Sequence, residues 1–268
     1  MRLCARLVST FGLTAGVMFA NSAVAERIKF DVMTRSDPTV TLSAELNKPE
    51  GRGPFAAVVM LHGCGGVWPR WGDAWSQRLV GWGYVTLRVD SFKPRGFPRG
   101  VCHLPGTVGP LTRMEDARAA KAYLAALSYV DDKRIAIFGM SHGGWTTLWS
   151  VQNPDLDVAP RGDPFRAAIA LYPVCEGRLT RLDAPLLILI GRADDWTFAQ
   201  HCEGMEIVGP SNHAVTLKIY PDATHAFDVD GVNFEIMGHK MKSHPAAARD
   251  AVARVQAFLA NHLAGEDH

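Results

Sequence analysis

The pentapeptide Gly139-Met140-Ser141-His142-Gly143 constrains this chain more than any other segment. It follows the apolar run Ile135-Ala136-Ile137-Phe138 and precedes Gly144-Trp145-Thr146-Thr147-Leu148, which reads as a helix start. G-x-S-x-G between a strand and a helix is the setting of a nucleophile elbow, a sharp turn that leaves a serine hydroxyl exposed above a sheet edge. Such a turn needs a buried strand before it and a helix packed on the same sheet after it.

The rest of the chain supplies that frame. Ala56-Ala57-Val58-Val59-Met60-Leu61 is continuously apolar, the mark of a strand covered by helices on both faces. Residues 84–89, 134–138, 167–171, 186–190 and 215–220 are similar short runs. Helical stretches lie between them, at 75–82 and 113–127, with a last helix starting near Ser243 and Pro245. Thr112 with Glu115 has the form of a capping box, and Ala117, Ala120, Leu124 and Leu127 recur on one face behind it. In the last helix Ala248, Val252, Val255, Leu259 and Leu263 form the expected buried stripe. Residues 28–32 and 40–46 alternate instead, as an antiparallel hairpin with one wet face would. Alternating strands and helices predict an α/β fold, a doubly wound, mostly parallel sheet with helices on both faces, in one domain over residues 26–268. Segments 91–111 and 153–165 lack periodicity. Long loops after strands of such a sheet usually lie at its functional edge, although the second reads equally well as surface decoration.

Residues 1–25 are expected to be a cleaved signal peptide rather than part of the fold. Arg2 and Arg6 precede an apolar stretch from Leu7 to Ala20, and Ala23-Val24-Ala25 offers a small-residue cleavage site. Asn21 and Ser22 end the stretch before it reaches the ~20 apolar residues of a membrane span, so no stable membrane insertion is expected. The destination is periplasmic or secreted. Lys+Arg 28 against Asp+Glu 27 leaves a net charge of +1, which gives no footprint for nucleic acid. Outside the signal segment remain Cys64, Cys102, Cys175 and Cys202, an even number in a disulfide-permissive place. Cys175 and Cys202 follow strands expected to be neighbours at one sheet edge. Cys64 and Cys102 lie in two loops of that same edge. The expected bridges are therefore Cys175–Cys202 and Cys64–Cys102. No metal-binding spacing is present.

A serine hydroxyl is a weak nucleophile until a base takes its proton, and the base needs a third group to fix its tautomer. Strand 186–190 runs into Gly191-Arg192-Ala193-Asp194-Asp195-Trp196-Thr197, an acidic turn. Strand 215–220 runs into Pro221-Asp222-Ala223-Thr224-His225-Ala226-Phe227, with a loop histidine. Serine, acid and histidine thus occur in chain order, each at a strand end. Physics alone does not separate Asp194 from Asp195. His62-Gly63-Cys64-Gly65-Gly66 follows the strand ending at Leu61 and can aim backbone N–H groups at a developing oxyanion. The amides of Cys64 and His142 are the expected donors, with the His62 side chain bracing the loop. Trp68, Trp71, Trp145 and Trp196 flank these loops, and Trp68, Trp145 and Trp196 are candidates to line a substrate pocket.

At these residues a resemblance becomes specific. Leu61-His62-Gly63, Gly139-Met140-Ser141-His142-Gly143-Gly144, Leu189 to Asp195 and Tyr220 to Phe227 together resemble the dienelactone hydrolase family, from about Pro54 to the last helix. The resemblance implies an α/β-hydrolase fold and cofactor-free hydrolysis of esters, lactones among them. It implies Ser141 as nucleophile, His225 as base and, from the G-x-x-D pattern starting at Gly191, Asp194 as acid. The name-giving enzymes carry Cys at the nucleophile position, whereas this chain has Ser. That moves the expectation toward a serine hydrolase acting on a small-molecule ester. Two other readings share the fold: a peptidase like the prolyl oligopeptidases, and a catalytically silent binding module. No oligomeric state is legible.

Overall fold

The computed structural model describes residues 25–33, 39–152, 163–208 and 213–265. Its first elements are β1 (Glu26–Val32), β2 (Val40–Asn47), β3 (Phe55–Leu61), α1 (Pro69–Gly81), β4 (Val85–Asp90) and α2 (Pro110–Ala125). There follow β5 (Val130–Met140), α3 (His142–Ser150), β6 (Ala168–Leu171), β7 (Arg178–Thr180), β8 (Leu186–Gly191) and α4 (Ala199–Glu203). The last are β9 (Glu206–Val208), β10 (Val215–Tyr220), β11 (Asn233–Ile236), β12 (His239–Lys242) and α5 (Pro245–His262).

The continuously apolar runs become the centre of an eight-stranded sheet in the order β1-β2-β4-β3-β5-β6-β8-β10. From β4 to β10 every pair is parallel, and the antiparallel pairs are β1–β2 and β2–β4, so β2 runs against the other strands. Ala56 to Leu61 and Leu186 to Gly191 are buried throughout. Each fully buried aliphatic side chain there contributes about 1.5–3 kcal/mol, so a charge at Val59 or Ile188 would unfold the chain. β1 and β2 alternate as expected, with Ile28, Val32, Leu42, Ala44 and Leu46 facing inward. The strand order reverses beside β3, which pairs with β4 on one side and β5 on the other. Loops leaving β3 and β5 therefore diverge and open a crevice at their carboxyl ends. Ser141 is the first residue past β5.

Several elements differ from expectation. α2 starts at Pro110 with Gly109 as its N-cap and no side-chain cap, so Thr112 and Glu115 form no capping box. Pro at the first helical position, with its preset φ, starts the helix earlier. α1 begins at Pro69, six residues before the expected start, for the same reason. In α5 the fully buried stripe is Ala247, Ala251, Val255 and Leu259. Val255, Leu259 and Leu263 are buried as expected, whereas Ala248 and Val252 are half-buried and Ala247 and Ala251 take the inner positions. His244 caps the helix, Nδ1 accepting from the Ala247 amide at 3.1 Å.

The β11–β12 hairpin is an element that the sequence pattern does not predict. Its strands pair antiparallel, Phe234 opposite Met241 and Ile236 opposite His239. Met237 and Gly238 join them with φ of 54° and 83°, both positive as in a two-residue type I′ turn.

The structure joins Cys64 to Cys102 and Cys175 to Cys202, bonds that persist in oxidising compartments. Among the described residues no helix is long and apolar enough to cross a membrane. Nearly all of the expected signal segment, and most of loop 153–165, lie outside the described residues.

Candidate active site

Ser141 sits between β5 and α3 with φ 51° and ψ −117°. A non-glycine residue in such a conformation stores on the order of 1–3 kcal/mol and persists only where its surroundings over-determine it. Here its amide donates to the Leu171 carbonyl and its carbonyl accepts from the Trp145 amide, both at 2.9 Å. Gly143 lets α3 pack close under the neighbouring loop, since any side chain there would run into the Leu61 carbonyl oxygen.

Asp194 and His225 meet from the ends of β8 and β10. His225 Nδ1 lies 2.8 Å from Asp194 Oδ2. A carboxylate only accepts, so Nδ1 carries the proton of this hydrogen bond, and Nε2 is the nitrogen that would hold the free lone pair of a neutral imidazole. Asp194 Oδ1 accepts the amides of Trp196 and Thr197, each at 2.9 Å. The Thr197 hydroxyl reaches Oδ2 at 2.9 Å or the Tyr172 carbonyl at 3.1 Å. Burial by itself would raise the Asp194 pKa. The His225 imidazole and the amides outweigh it and hold the carboxyl below its usual range. Asp195 turns away: its carboxylate accepts the Lys240 amide at 3.2 Å and lies 3.6 Å from His239 Nδ1. The two acids that sequence could not separate thus have different partners.

On the opposite side, the loop after β3 is held by a residue that the sequence analysis does not single out. Arg113 of α2 is fully buried. Its Nη1 donates to His142 Nδ1 at 2.9 Å and its Nη2 to the His62 carbonyl at 2.9 Å. His142 Nε2 in turn donates to the Pro105 carbonyl at 3.2 Å. His62 Nδ1 donates to the Gly63 carbonyl at 2.8 Å and its Nε2 accepts the Ser91 amide at 3.2 Å, which is the bracing role expected of it. Both imidazoles are neutral. Burial, then the Arg113 charge, pushes His142 down to about 3 and His62 well below the usual range. Burial also lowers Arg113, to about 9, against the opposing pull of Asp116, so the guanidinium stays charged near neutrality. Arg113 thereby links His142, one of the expected oxyanion donors, to His62, two residues before the other, Cys64. The Cys64–Cys102 bridge and a Val101 amide donating to the Cys64 carbonyl at 2.7 Å tie the same loop from outside.

Ser141 and His225 share a cavity of about 270 Å³. Gly63 to Gly66, Cys102 and Met140 form one part of its wall, and Val67, Trp68, Trp196, Phe234, Ile236 and Met241 the rest. Of the three candidate pocket tryptophans, Trp68 and Trp196 line it. Trp145 lies outside that lining and packs on the His142 ring at 5.3 Å. Trp71 is core: with Trp75 it donates its indole N–H to Asp228, at 3.1 and 2.7 Å. Asp228 also accepts the Tyr172 hydroxyl at 2.8 Å, and the Tyr172 ring stands edge-on to His225 at 4.6 Å. A larger groove of about 940 Å³ lies at the other end of the sheet, near Phe165, Pro185 and Phe258. It holds none of Ser141, Asp194 or His225.

Known proteins resemble this chain to different extents. A protein of Escherichia coli K12 assigned as a carboxymethylenebutenolidase is 26% identical over 227 residues, 76% of each chain. The quorum-quenching protein AidA of Acinetobacter baumannii is 29% identical over 151 residues, 53% of this chain and 48% of AidA, so this chain spans about half of that relative. Among solved structures, one assigned as a dienelactone hydrolase of Klebsiella pneumoniae superposes with a TM-score of 0.66 at 20% identity, covering 88% of this chain and 99% of the other. Dipeptidyl peptidase 4 of Porphyromonas gingivalis gives 0.60 at 22% identity, covering 89% of this chain and 36% of the peptidase. These superpositions speak for the α/β-hydrolase fold. The model of the dienelactone hydrolase family matches residues 42–263. With most of its length inside that match, the chain belongs to the dienelactone hydrolase family.

Proposed function

We propose that this chain is an exported serine hydrolase that cleaves carboxylic ester or lactone bonds through an acyl-enzyme on Ser141. One observation carries the reading: the 2.8 Å Asp194–His225 hydrogen bond beside a cavity that both His225 and Ser141 line. In the proposed cycle His225 Nε2 takes the Ser141 hydroxyl proton as Oγ attacks the ester carbonyl carbon. The carbonyl oxygen becomes an oxyanion and accepts from the Cys64 and His142 amides, each worth about 2.7–4 kcal/mol of barrier. Collapse expels the alcohol oxygen, which takes the proton from His225. Water, deprotonated by the same imidazole, then attacks the acyl carbon; the bond to Ser141 Oγ breaks, Oγ takes the proton back from His225, and the carboxylic acid leaves. Asp194 keeps the imidazole in the required tautomer and stabilises its protonated form.

Two disulfides suit work outside the cytoplasm, and the protein purified from its native compartment should begin at Glu26. A peptidase reading draws on the fold shared with the dipeptidyl peptidase, of which this chain covers only 36%. The ester reading draws on a relative matched over 76% of both chains. An esterase of Thermogutta terrifontis, similar in fold, is phosphorylated by paraoxon. A fluorophosphonate probe should likewise label this protein, and Ser141→Ala should abolish the label. Absence of labelling in folded protein would leave a binding module. Faster turnover of amides than of matched esters would favour the peptidase.

A further inference from the structure

The wall of the cavity facing the oxyanion loop narrows the substrate class, on the basis of the hydrolase reading of Ser141. Phe234 and Ile236 are two residues apart on β11, so both project from the same face of the hairpin, and both line the cavity. They remain 44% and 38% exposed, large apolar groups converging on one opening, the informative kind of surface hydrophobe. Met241, directly opposite Phe234, lines it too. The charged residues of the hairpin fall on its other face: Glu235 lies between Phe234 and Ile236 and pairs with Lys240. Among the described residues that line the cavity there is no Lys, Arg, Asp or Glu, and His225 is the only titratable group.

The wall is also fixed in place. The Lys240 amide donates to Asp195, the His239 ring stacks on Trp196 at 4.8 Å, and the Lys242 amide donates to the Thr224 hydroxyl at 2.9 Å. Met241 bridges to His225 itself. Every tie reaches a residue within two positions of Asp194 or His225, or His225 itself. A preformed apolar wall bound this firmly to the base implies selectivity rather than mere cover. Volume sets the scale: a cavity of about 150 Å³ takes up one benzene, so 270 Å³ holds an aromatic ring with its ester group but does not enclose a long acyl chain.

We infer that the hairpin face of Phe234, Ile236 and Met241, with Val67, Trp68 and Trp196, is a subsite for a compact, uncharged apolar group of the ester, and that it excludes groups carrying a carboxylate. An anion moved there loses its water and meets no cation, a penalty without compensation.

Two substrate pairs test this, each rate normalised to the ester's alkaline hydrolysis. One is p-nitrophenyl benzoate against its 4-carboxylate, and the other is phenyl acetate against 4-acetoxybenzoate. In at least one pair the neutral ester should lead by about 100-fold in kcat/KM. Ile236→Lys should narrow that lead by about tenfold or more by placing a cation on the wall. Equal rates within both pairs, or an unchanged ratio in folded Ile236→Lys protein, would overturn the subsite. Calorimetric binding to Ser141→Ala protein separates this from the catalytic reading. Methyl benzoate should bind and monomethyl terephthalate should bind at least about tenfold more weakly. That preference in a wild-type protein without turnover would keep the subsite and remove the acyl-transfer proposal. Equal binding of the two would overturn the subsite itself.

Discussion

Replacing Asp194 with Asn should lower turnover about 10⁴-fold and leave the fold almost untouched. The reason lies in which amide atom can face which neighbour. Oδ1 of Asp194 accepts two backbone amides, from Trp196 and Thr197. In the Asp194→Asn variant that place must go to the carbonyl oxygen; an NH2 there would confront two donors. The amide nitrogen is forced into the Oδ2 position, which lies 2.8 Å from His225 Nδ1 in the wild type. It donates to Nδ1, and the imidazole proton moves to Nε2. A base that already holds its proton on that nitrogen cannot accept one from Ser141. The Thr197 hydroxyl adapts without loss: it donates to the Tyr172 carbonyl, 3.1 Å away, and accepts from the new NH2. The wrong tautomer in an equivalent triad costs about 10⁴ in kcat, or about 5.5 kcal/mol of barrier. The assay is kcat/KM for a p-nitrophenyl ester across neutral and mildly alkaline pH, with thermal melting as the folding control and Asp195→Asn as the comparison. A loss below about tenfold, or a larger loss in Asp195→Asn than in Asp194→Asn, would refute the reasoning.

Arg113→Met leaves the His62 carbonyl and His142 Nδ1 without donors; at about 1–3 kcal/mol each, urea unfolding should show a clear loss, and kcat should fall more than KM rises. Arg113→Lys should rescue neither, because one ammonium cannot reproduce the two-pronged guanidinium; full rescue would sink the linking role. Asp228 is raised by burial, against three side-chain donors and its own backbone amide, so its contribution is present below its unfolded pKa and lost as pH rises through the folded one. The melting temperature of Asp228→Asn should therefore gain on wild type from acid to neutral pH, and a difference that is flat with pH would contradict this. Removing either disulfide should cost about 3–4 kcal/mol in the chain-entropy model. Only the Cys64→Ser/Cys102→Ser pair should also slow turnover, since only that bridge holds the loop of the proposed oxyanion donor; an equal rate loss in Cys175→Ser/Cys202→Ser would argue against it.

Much of this architecture is legible from local pattern. The unbroken apolar runs at 56–61 and 186–190 specify two-sided burial, and Gly139 to Gly143 specifies the turn that follows β5. Asp194 and Asp195 are indistinguishable in sequence because both follow the same strand. What separates them is the turn itself, where the Trp196 and Thr197 amides capture Asp194 and aim its second oxygen at His225. Arg113 leaves a faint signal: it stands four residues before Ala117, on the buried stripe of α2, where a guanidinium needs partners inside the protein. Those partners come from loops far away in sequence, so local pattern cannot name them. The β11–β12 hairpin escapes because its turn is Met-Gly rather than the Asn-Gly or Asp-Gly that marks such hairpins, although Phe234 and Ile236 do alternate with polar neighbours.

That two-residue turn sets more than the path of the backbone. Successive strand residues point to opposite sides, so sliding β11 by one position against β12 exchanges its two faces. β12 is anchored through Lys240, Met241 and Lys242, so an extra residue beside Met237-Gly238 would be absorbed by β11. Glu235 would then look toward Ser141 where Phe234 and Ile236 do now. The polarity of the proposed substrate wall is thus stored as a count of residues in one turn, and a single-codon insertion there would rewrite it without altering Ser141, Asp194 or His225.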